Sequence, residues 1–192
     1  MNPMAKNFDP NIVNPIFTGV IEDMMTTRGG LVSTKAFDLS VKPIEEYEGR
    51  MRVNATDKFD TSVYIAAINF YLNKADMHAH RSRGTMVLYM NSEIADRLFK
   101  AVGLQVPYDE DDESMMVLCG NLCRTIADSF KERLIEKDFA ALEVSDPATY
   151  KNNVTEGVEF SHGQEEKQEL SFYFLKHKAL AIDWTMAPIP KK

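Results

Sequence analysis

Three segments of the chain carry apolar residues at helical spacing. The first, DPNIVNPIFTGVIEDMMTTRGG (9–30), has an N-cap candidate in Asp9 and ends in two glycines that stop a helix. A shorter segment, SEIADRLFKAVGL (92–104), has a cap candidate in Ser92. The third, ESMMVLCGNLCRTIADSFKERL (113–134), keeps its apolar stripe over several turns. The pattern therefore predicts two long helices and one shorter helix.

The remaining apolar segments are typical of strands. SVYIAAINFYL and TMVLYMN flank a polar, turn-like stretch and predict a hairpin buried on both faces. LVSTKAFDLSV alternates weakly, FAALEVSDPATY is interrupted at Pro147, and the segments 169–175 and 179–186 predict two more strands. Residues 42–60 are polar and predict a loop or an irregular edge. The predicted fold class is α+β, with a mixed or antiparallel sheet of about six strands and the three helices packed on it.

The size of the chain, 192 residues, fits a single domain over residues 1–192. We expect its core to span about 9–186, with frayed termini that include the proline-rich tail APIPKK. The N-terminal segment lacks a basic region followed by an apolar core, and no apolar run is long enough to cross a membrane. These features predict a cytoplasmic protein that does not enter a membrane.

The net charge and the cysteine, acidic and histidine residues indicate which partners and ligands to expect. A net charge of -7 disfavours binding to nucleic acid or to anionic membranes, so a protein or a small molecule is the expected partner. Cys119 and Cys123 lie four residues apart in the third helix, where they favour packing over disulfide, redox or metal chemistry. The acidic run 109–113 favours helix capping over a cation site. His78 and His80 favour a polar hairpin tip over a pair of metal ligands, and we expect no metal.

Asn121 is an unusual residue in the middle of the third helix, because its amide competes for nearby backbone groups. On a wheel of about 100° per residue, the side opposite Asn121 is apolar and predicts the buried face. The side that carries Asn121 holds Ser114, Val117, Leu118, Arg124, Thr125, Asp128 and Glu132. Two aliphatic residues beside Asn121 on an outward face favour a contact surface for another molecule. The alternative is a solvent-facing helix with some apolar residues on its surface.

Three segments carry a resemblance to a known family. NIVNPIFTGVIEDM, RGTMVLYMNSEIADRLFKAVG and DESMMVLCGNLCRTIADSFKERL resemble the first helix, a hairpin strand with its following helix, and the signature helix of the CheX/CheC/FliY family of chemotaxis phosphatases, CheX-like members most closely. The family signature is Ser or Asp, a Glu four residues on, an Asn three residues further, and a Pro downstream. Ser114, Asn121 and Pro147 match it, whereas Leu118 stands at the Glu position.

The resemblance implies a CheC-like fold and a function. A CheX-like protein binds a phosphorylated CheY-type response regulator and promotes hydrolysis of its aspartyl phosphate, so Asn121 would be catalytic by orienting the attacking water. The partner-binding residues would then be Ser114, Val117, Leu118, Arg124, Thr125 and Asp128. The family Glu pairs with a lysine of the regulator, a contact that Leu118 cannot make. No cofactor of its own is implied, since any Mg²⁺ would belong to the regulator.

The resemblance also implies a homodimer, formed through exchanged or paired strands in the C-terminal half. Because an acid is missing at Leu118, a second interpretation stays open: a catalytically weak or inactive dimeric adaptor that binds a response regulator or another signalling protein. A third is an unrelated dimeric interaction domain.

Overall fold

The computed structural model describes residues 10–109 and 111–192. Four α-helices lie in these residues, with a π-helical turn after the first and a 3₁₀ turn before the third. The helices are α1 (Pro10–Glu22), α2 (Lys74–His78), α3 (Ala95–Ala101) and α4 (Asp112–Glu136), and the two turns are Asp23–Arg28 and Ser92–Ile94. The two long helices and the shorter one are thus where the sequence predicts them, while α2 lies inside the predicted hairpin loop.

Ten strands form two antiparallel sheets within the described residues. They are β1 (Ser33–Pro43), β2 (Glu46–Tyr47), β3 (Arg50–Val53), β4 (Val63–Tyr71), β5 (Gly84–Asn91), β6 (Glu143–Val144), β7 (Ala148–Lys151), β8 (Val154–Val158), β9 (Glu166–Phe174) and β10 (His177–Met186). The main sheet has the order β1-β9-β10-β5-β4-β6, with β7 also paired to β4, and the small sheet has the order β2-β3-β8. The predicted α+β class is confirmed, and the main sheet has seven strands.

The main sheet is covered on both faces, which explains its apolar central strands. Along β4, Ala66 and Ile68 pack into the core beneath the helices, whereas Ile65 and Ala67 pack beneath the small sheet. Alternate residues of a strand point to opposite faces, so a strand covered on both sides reads as one continuous apolar run. The hairpin of β4 and β5 therefore matches the sequence prediction closely.

The two long helices are joined through aromatic stacking and a buried amide. Phe17 of α1 stacks on Phe130 of α4 with ring centroids 4.1 Å apart. Asn14 of α1 is buried, accepts a hydrogen bond from Trp184 Nε1 at 2.8 Å and donates one to Gln168 Oε1 at 3.3 Å. These contacts fix α1 against β9 and β10, so that α1 and α4 form one layer over the sheet.

Three details differ from the sequence predictions. The tail APIPKK is not frayed, because the amide of Ala140 donates to the carbonyl of Pro190 at 2.8 Å and Ile189 is only 3% exposed. The predicted end of the core at residue 186 is therefore too early. The cap of the 3₁₀ turn is Asn91 rather than Ser92, since Asn91 Oδ1 accepts from the amide of Glu93 at 3.0 Å. The predicted cap Asp9 lies outside the described residues, as does the predicted fraying before it.

In the described part of the chain, no helix is long and apolar enough to cross a membrane.

Candidate functional site

The N-terminus of α4 is anchored by acidic residues. Asp111 caps the helix: its Oδ1 accepts from the amide of Ser114 at 2.9 Å and its Oδ2 from the Ser114 hydroxyl at 2.8 Å. These hydrogen bonds hold the pKa of Asp111 below its usual range. Asp112 pairs with Lys151 and accepts from the Tyr64 hydroxyl, and both contacts lower its pKa. Within the acidic run, Asp111 caps the helix as predicted, and Asp112 joins it to Lys151 of β7 and Tyr64 of β4.

The buried face of α4 agrees with the helical wheel. Its buried residues are Met115, Cys119, Gly120, Leu122, Cys123, Ile126, Ala127, Phe130 and Leu134. Met116, which the wheel also places there, is only partly buried. Burial raises the pKa of the Cys119 thiol to about 12, and that of Cys123 is raised too, so both thiols stay protonated at neutral pH. The cysteines pack against the sheet, and Cys123 Sγ donates to the Ala66 carbonyl at 3.6 Å.

The outward face of α4 is called here the Asn121 surface. It consists of Ser114, Val117, Leu118, Asn121, Arg124, Thr125 and Asp128. Asn121 is exposed, and its side chain has no hydrogen-bonding partner among residues 10–109 and 111–192. Val117 is 54% exposed, while Leu118 is partly buried against the core beneath the helices. The sequence-predicted residues thus share one face, with a free amide beside an apolar patch.

Strand β7 borders this surface along one side. A Cβ added to Gly120 would lie 2.9 Å from Thr149 Cγ2 and 3.4 Å from Pro147 Cγ, so the strand touches the helix where the glycine leaves room. Pro147, which matches the downstream Pro of the family signature, therefore lies against Gly120, the residue directly before Asn121. Because the strand is paired to β4 and pressed against α4, it holds the helix turn that carries Asn121 in a fixed position.

The Asn121 surface is an exposed helix face that borders a small cleft. A cleft of about 240 Å³ lies at its Thr125 end, lined by Met24, Arg28 and residues 101–103. Small-molecule pockets usually occupy about 300 to 1,000 Å³ and bury most of their ligand. The described residues also contain no group of three His, Cys, Asp or Glu side chains that could hold a metal ion. An exposed helix face with a free amide, bordered by a cleft of about 240 Å³, suits a protein partner better than a small ligand.

His78 and His80 lie in the segment between β4 and β5 and are not part of the Asn121 surface. His78 ends the short helix α2, and His80 Nδ1 lies 3.3 Å from Glu159 Oε2. The expected polar hairpin tip is what the structure contains.

Comparisons with known proteins find solved structures that share the fold of this chain. No family model and no curated protein matches the chain. A CheC-like superfamily protein from Shewanella sp. PV-4 aligns with a TM-score of 0.56 at 12% identity, covering 93% of this chain and 99% of that one. The chemotaxis protein CheX from Desulfovibrio desulfuricans gives 0.55 at 12% identity over 91% and 99%. Thermotoga maritima FliY gives 0.54 at 15% identity over 94% and 92%. The chain has the CheC-like fold.

A CheC-like fold does not by itself assign an activity, because function resides in the side chains that a fold presents. The residue that departs from the signature is Leu118. The structure also places a carboxylate beside Arg124 of the Asn121 surface that the sequence does not indicate. Asp146 precedes Pro147 in the loop before β7, is fully exposed, and lies 3.7 Å from Arg124 through Oδ1. Arg124 also pairs with Asp128 at 3.1 Å and donates to the Ser145 carbonyl at 3.2 Å.

The sequence alone does not indicate Asp146, because it lies outside the helix and reaches Arg124 through a tertiary contact. Its position beside Arg124 follows from the packing of β7 on α4, and the single signal in the sequence is its place directly before the signature Pro147. It lies on the C-terminal side of Asn121, next to Arg124, whereas the signature acid belongs on the N-terminal side at Leu118. Asp146 therefore adds charge to the Asn121 surface without occupying the position of the missing Glu.

Proposed function

We propose that this chain binds a phosphorylated CheY-type response regulator through the Asn121 surface and promotes hydrolysis of its aspartyl phosphate. The observation that carries the proposal is the side-chain amide of Asn121, which is exposed and unpaired in the described chain on the outward face of a helix of 25 residues. An amide held on a rigid helix loses little further freedom when it enters a partner's active site. The match of Ser114, Asn121 and Pro147 to the family signature supports the same assignment.

The reaction needs no nucleophile from this chain. A water molecule attacks the phosphorus, the bond between phosphorus and the aspartyl oxygen breaks, and inorganic phosphate and a free carboxylate are released. The carbonyl oxygen of the Asn121 amide accepts a hydrogen bond from the attacking water and keeps it in line with the breaking bond. This is catalysis by positioning. Any Mg²⁺ would be held by the regulator, and no cofactor is assigned to this chain.

Leu118 limits the expected rate. In the family, a Glu at this position pairs with a lysine of the regulator, and losing one partner of a close interfacial charge pair typically costs about 2 to 5 kcal/mol. That corresponds to roughly thirtyfold to several thousandfold in affinity or rate. Leu118 and the exposed Val117 offer apolar contact in its place. This patch favours a second candidate function, a dimeric adaptor that binds a regulator without dephosphorylating it.

The test uses phosphorylated CheY-type regulators from the same organism and follows the release of inorganic phosphate. The wild type is expected to accelerate release. Asn121→Ala is expected to lower that acceleration by about tenfold or more, because a positioned hydrogen bond to the water is lost. Asn153→Ala, which changes an exposed amide in the turn between β7 and β8, is the matched control and should behave as the wild type.

Calorimetric titration with each regulator completes the experiment. Binding without any acceleration by the wild type would favour the adaptor. The absence of both binding and acceleration for every regulator would reject the proposal.

A further inference from the structure

The π-helical turn after α1, Asp23–Arg28, lies beside the Thr125 end of the Asn121 surface. Turns of this kind are rare and occur frequently at functional sites. The amide of Gly29 closes the turn by donating to the carbonyl of Met24 at 3.0 Å. A Cβ on Gly29 would lie 3.1 Å from the carbonyl oxygen of Ala101, so the turn packs closely on the end of α3. These contacts fix the turn against α3.

The π-helical turn, the end of α3 and α4 border the cleft of about 240 Å³, called here the Thr125 cleft. Its lining is mostly apolar, with one guanidinium and one hydroxyl group, and consists of Met24, Arg28, Ala101, Val102, Gly103 and Thr125. The cleft is smaller than the usual pocket for a small-molecule ligand. It suits a single large side chain, and anchor residues of protein interfaces are held in pockets of this kind.

Arg28 gives the Thr125 cleft a positively charged rim. The Arg28 guanidinium lies 3.2 Å from Asp23 Oδ2, and the Arg133 guanidinium lies 3.9 Å from the same oxygen. One carboxylate therefore faces two guanidinium groups, which leaves an excess of positive charge here although the net charge of the chain is -7. The Arg28 side chain is 60% exposed. An exposed guanidinium beside an apolar recess suits a carboxylate that flanks an apolar side chain of a partner.

Thr125 belongs both to the cleft and to the Asn121 surface. Its hydroxyl donates to the backbone carbonyl of Asn121 at 2.9 Å, and the two residues lie about 6 Å apart along the helix axis. A standard protein interface covers about 800 Å² on each partner, which is a patch about 16 Å in radius if it is round. A protein centred on Asn121 therefore covers the mouth of the Thr125 cleft as well.

We propose that the Thr125 cleft is a second docking point for the protein that binds the Asn121 surface: it receives one apolar side chain of that partner, and Arg28 pairs with an acidic group beside it. The inference rests on the proposed function, which makes the partner a phosphorylated CheY-type regulator. The cleft contributes affinity and fixes the position of the partner along α4, whereas the Asn121 amide acts on the attacking water. Loss of the cleft therefore weakens binding without slowing the reaction of the bound complex.

Ala101→Phe tests this assignment by filling the cleft from the end of α3. The dissociation constant is expected to rise at least about tenfold, measured by calorimetric titration with the regulator carrying beryllium trifluoride in place of phosphate. Phosphate release at saturating regulator should stay within about twofold of the wild type, because Asn121 is unchanged. Ala75→Phe makes the same change on the exposed helix α2, outside the cleft and the Asn121 surface, and should bind as the wild type does.

Arg28→Gln tests the charged rim without filling the cleft. The dissociation constant is expected to rise about fivefold at low salt, and the difference from the wild type should shrink as salt rises. Arg52→Gln is the matched control, because it removes an exposed arginine from the small sheet, across the main sheet from the helices. It should bind as the wild type does at each salt concentration. Thermal unfolding checks that every variant is folded.

Wild-type affinity in both Ala101→Phe and Arg28→Gln, with the variants folded and the regulator bound, would overturn the inference and leave the cleft as a recess filled by solvent. Slower phosphate release at saturation with unchanged affinity would also overturn it, since the cleft would then act in the reaction and not in docking. Failure of the proposed function gives a different result: the wild type itself binds no regulator, and the inference falls with it.

Discussion

Two asparagines show how surroundings decide what a residue does. Asn14 and Asn121 stand in the two long helices, yet Asn14 is buried and uses both ends of its amide, on Trp184 and Gln168. Asn121 is exposed, and its side-chain amide has no hydrogen-bonding partner in the described chain. A buried polar group without hydrogen bonds would cost stability, so Asn14 is explained by packing. An exposed amide at a position of poor helix propensity has no such explanation and points to a partner.

The same reasoning applied to Leu118 gives a gain-of-function prediction. Leu118→Glu is expected to raise phosphate release from a CheY-type regulator by at least tenfold, because it restores the carboxylate that pairs with the regulator's lysine. Leu118→Gln has similar size without the charge and should not give this increase. The measurement is phosphate release over a range of salt concentrations, since a gain from an ion pair weakens as salt rises.

Leu118 is partly buried, so the stability of both variants must be checked by thermal unfolding. An equal rate for Leu118→Glu and Leu118→Gln, both folded, would show that no basic group of the regulator meets this position.

At the scale of elements, the site depends on contact between α4 and β7. The strand is short, only four residues, and its position is fixed by pairing with β4 and by contact with the helix at Gly120. Lys151 adds an ion pair to Asp112 at the start of the helix, and Arg124 reaches the loop before the strand through the Ser145 carbonyl. These three contacts run the length of the strand, so β7 and the Asn121 surface form one structural unit.

Gly120 offers a test of that unit. Alanine at this position should add about 1 kcal/mol through helix propensity, but its Cβ would lie 2.9 Å from Thr149 Cγ2. We expect Gly120→Ala to be neutral or destabilising by about 1 kcal/mol. Thr149→Ser removes the clashing methyl group. The double variant Gly120→Ala with Thr149→Ser should therefore have a higher free energy of unfolding than adding the effects of the two single changes would give.

Urea unfolding of the four proteins in this cycle gives the coupling free energy. A coupling near zero would mean that β7 is free to shift away from the helix, and that the strand does not fix the turn carrying Asn121.

Elements whose apolar residues recur at a regular spacing were predictable from the sequence, and elements held in place by tertiary contacts were not. Local sequence pattern predicts α4, β4 and β10, because each buries a regular face. In α4 this face is the apolar stripe from Met115 to Leu134. Strands β2, β3 and β8 have two to five residues and exposed positions, so their pairing depends on one another rather than on local pattern. The tail and Asp146 were missed for the same reason: contacts distant in sequence place Ile189 in the core and Asp146 beside α4.

At the scale of the whole molecule, charged groups lie between the main sheet and the residues that cover its second face. Lys58, from the loop after β3, lies 2.9 Å from Asp183 Oδ1 and also pairs with Glu169. Asp183 Oδ2 accepts from Lys167 at 2.7 Å and from the Tyr89 hydroxyl at 2.9 Å. Lys58 therefore ties the covering loop to β9 and β10 through buried charge.

The raised pKa values of Lys58 and Tyr89 in this cluster determine how the stability of the protein changes with pH. Burial opposes the charge of Lys58, but Asp183 and Glu169 outweigh it and raise the pKa above the ordinary 10.5. Burial, followed by the charge of Asp183, raises the pKa of Tyr89 well above 10.0. In both cases the folded state holds its proton at a pH where the unfolded state has lost it. Stability is therefore fully present below about pH 10 and falls as pH rises further.

Lys58→Met removes the buried charge that pairs with Asp183 and Glu169. At pH 7 the variant is expected to lose about 3 kcal/mol of unfolding free energy, because Asp183 and Glu169 lose a buried partner. Above about pH 10.5 the deficit should shrink, because Lys58 loses its proton in the unfolded wild type while the folded state still holds it, which lowers the stability of the wild type alone. Lys100→Met, at an exposed pair with Asp96, should change stability by less than about 1 kcal/mol. The measurement is urea unfolding from pH 7 to 11, and a deficit that stays constant across this range would assign the effect of Lys58 to packing rather than to its charge.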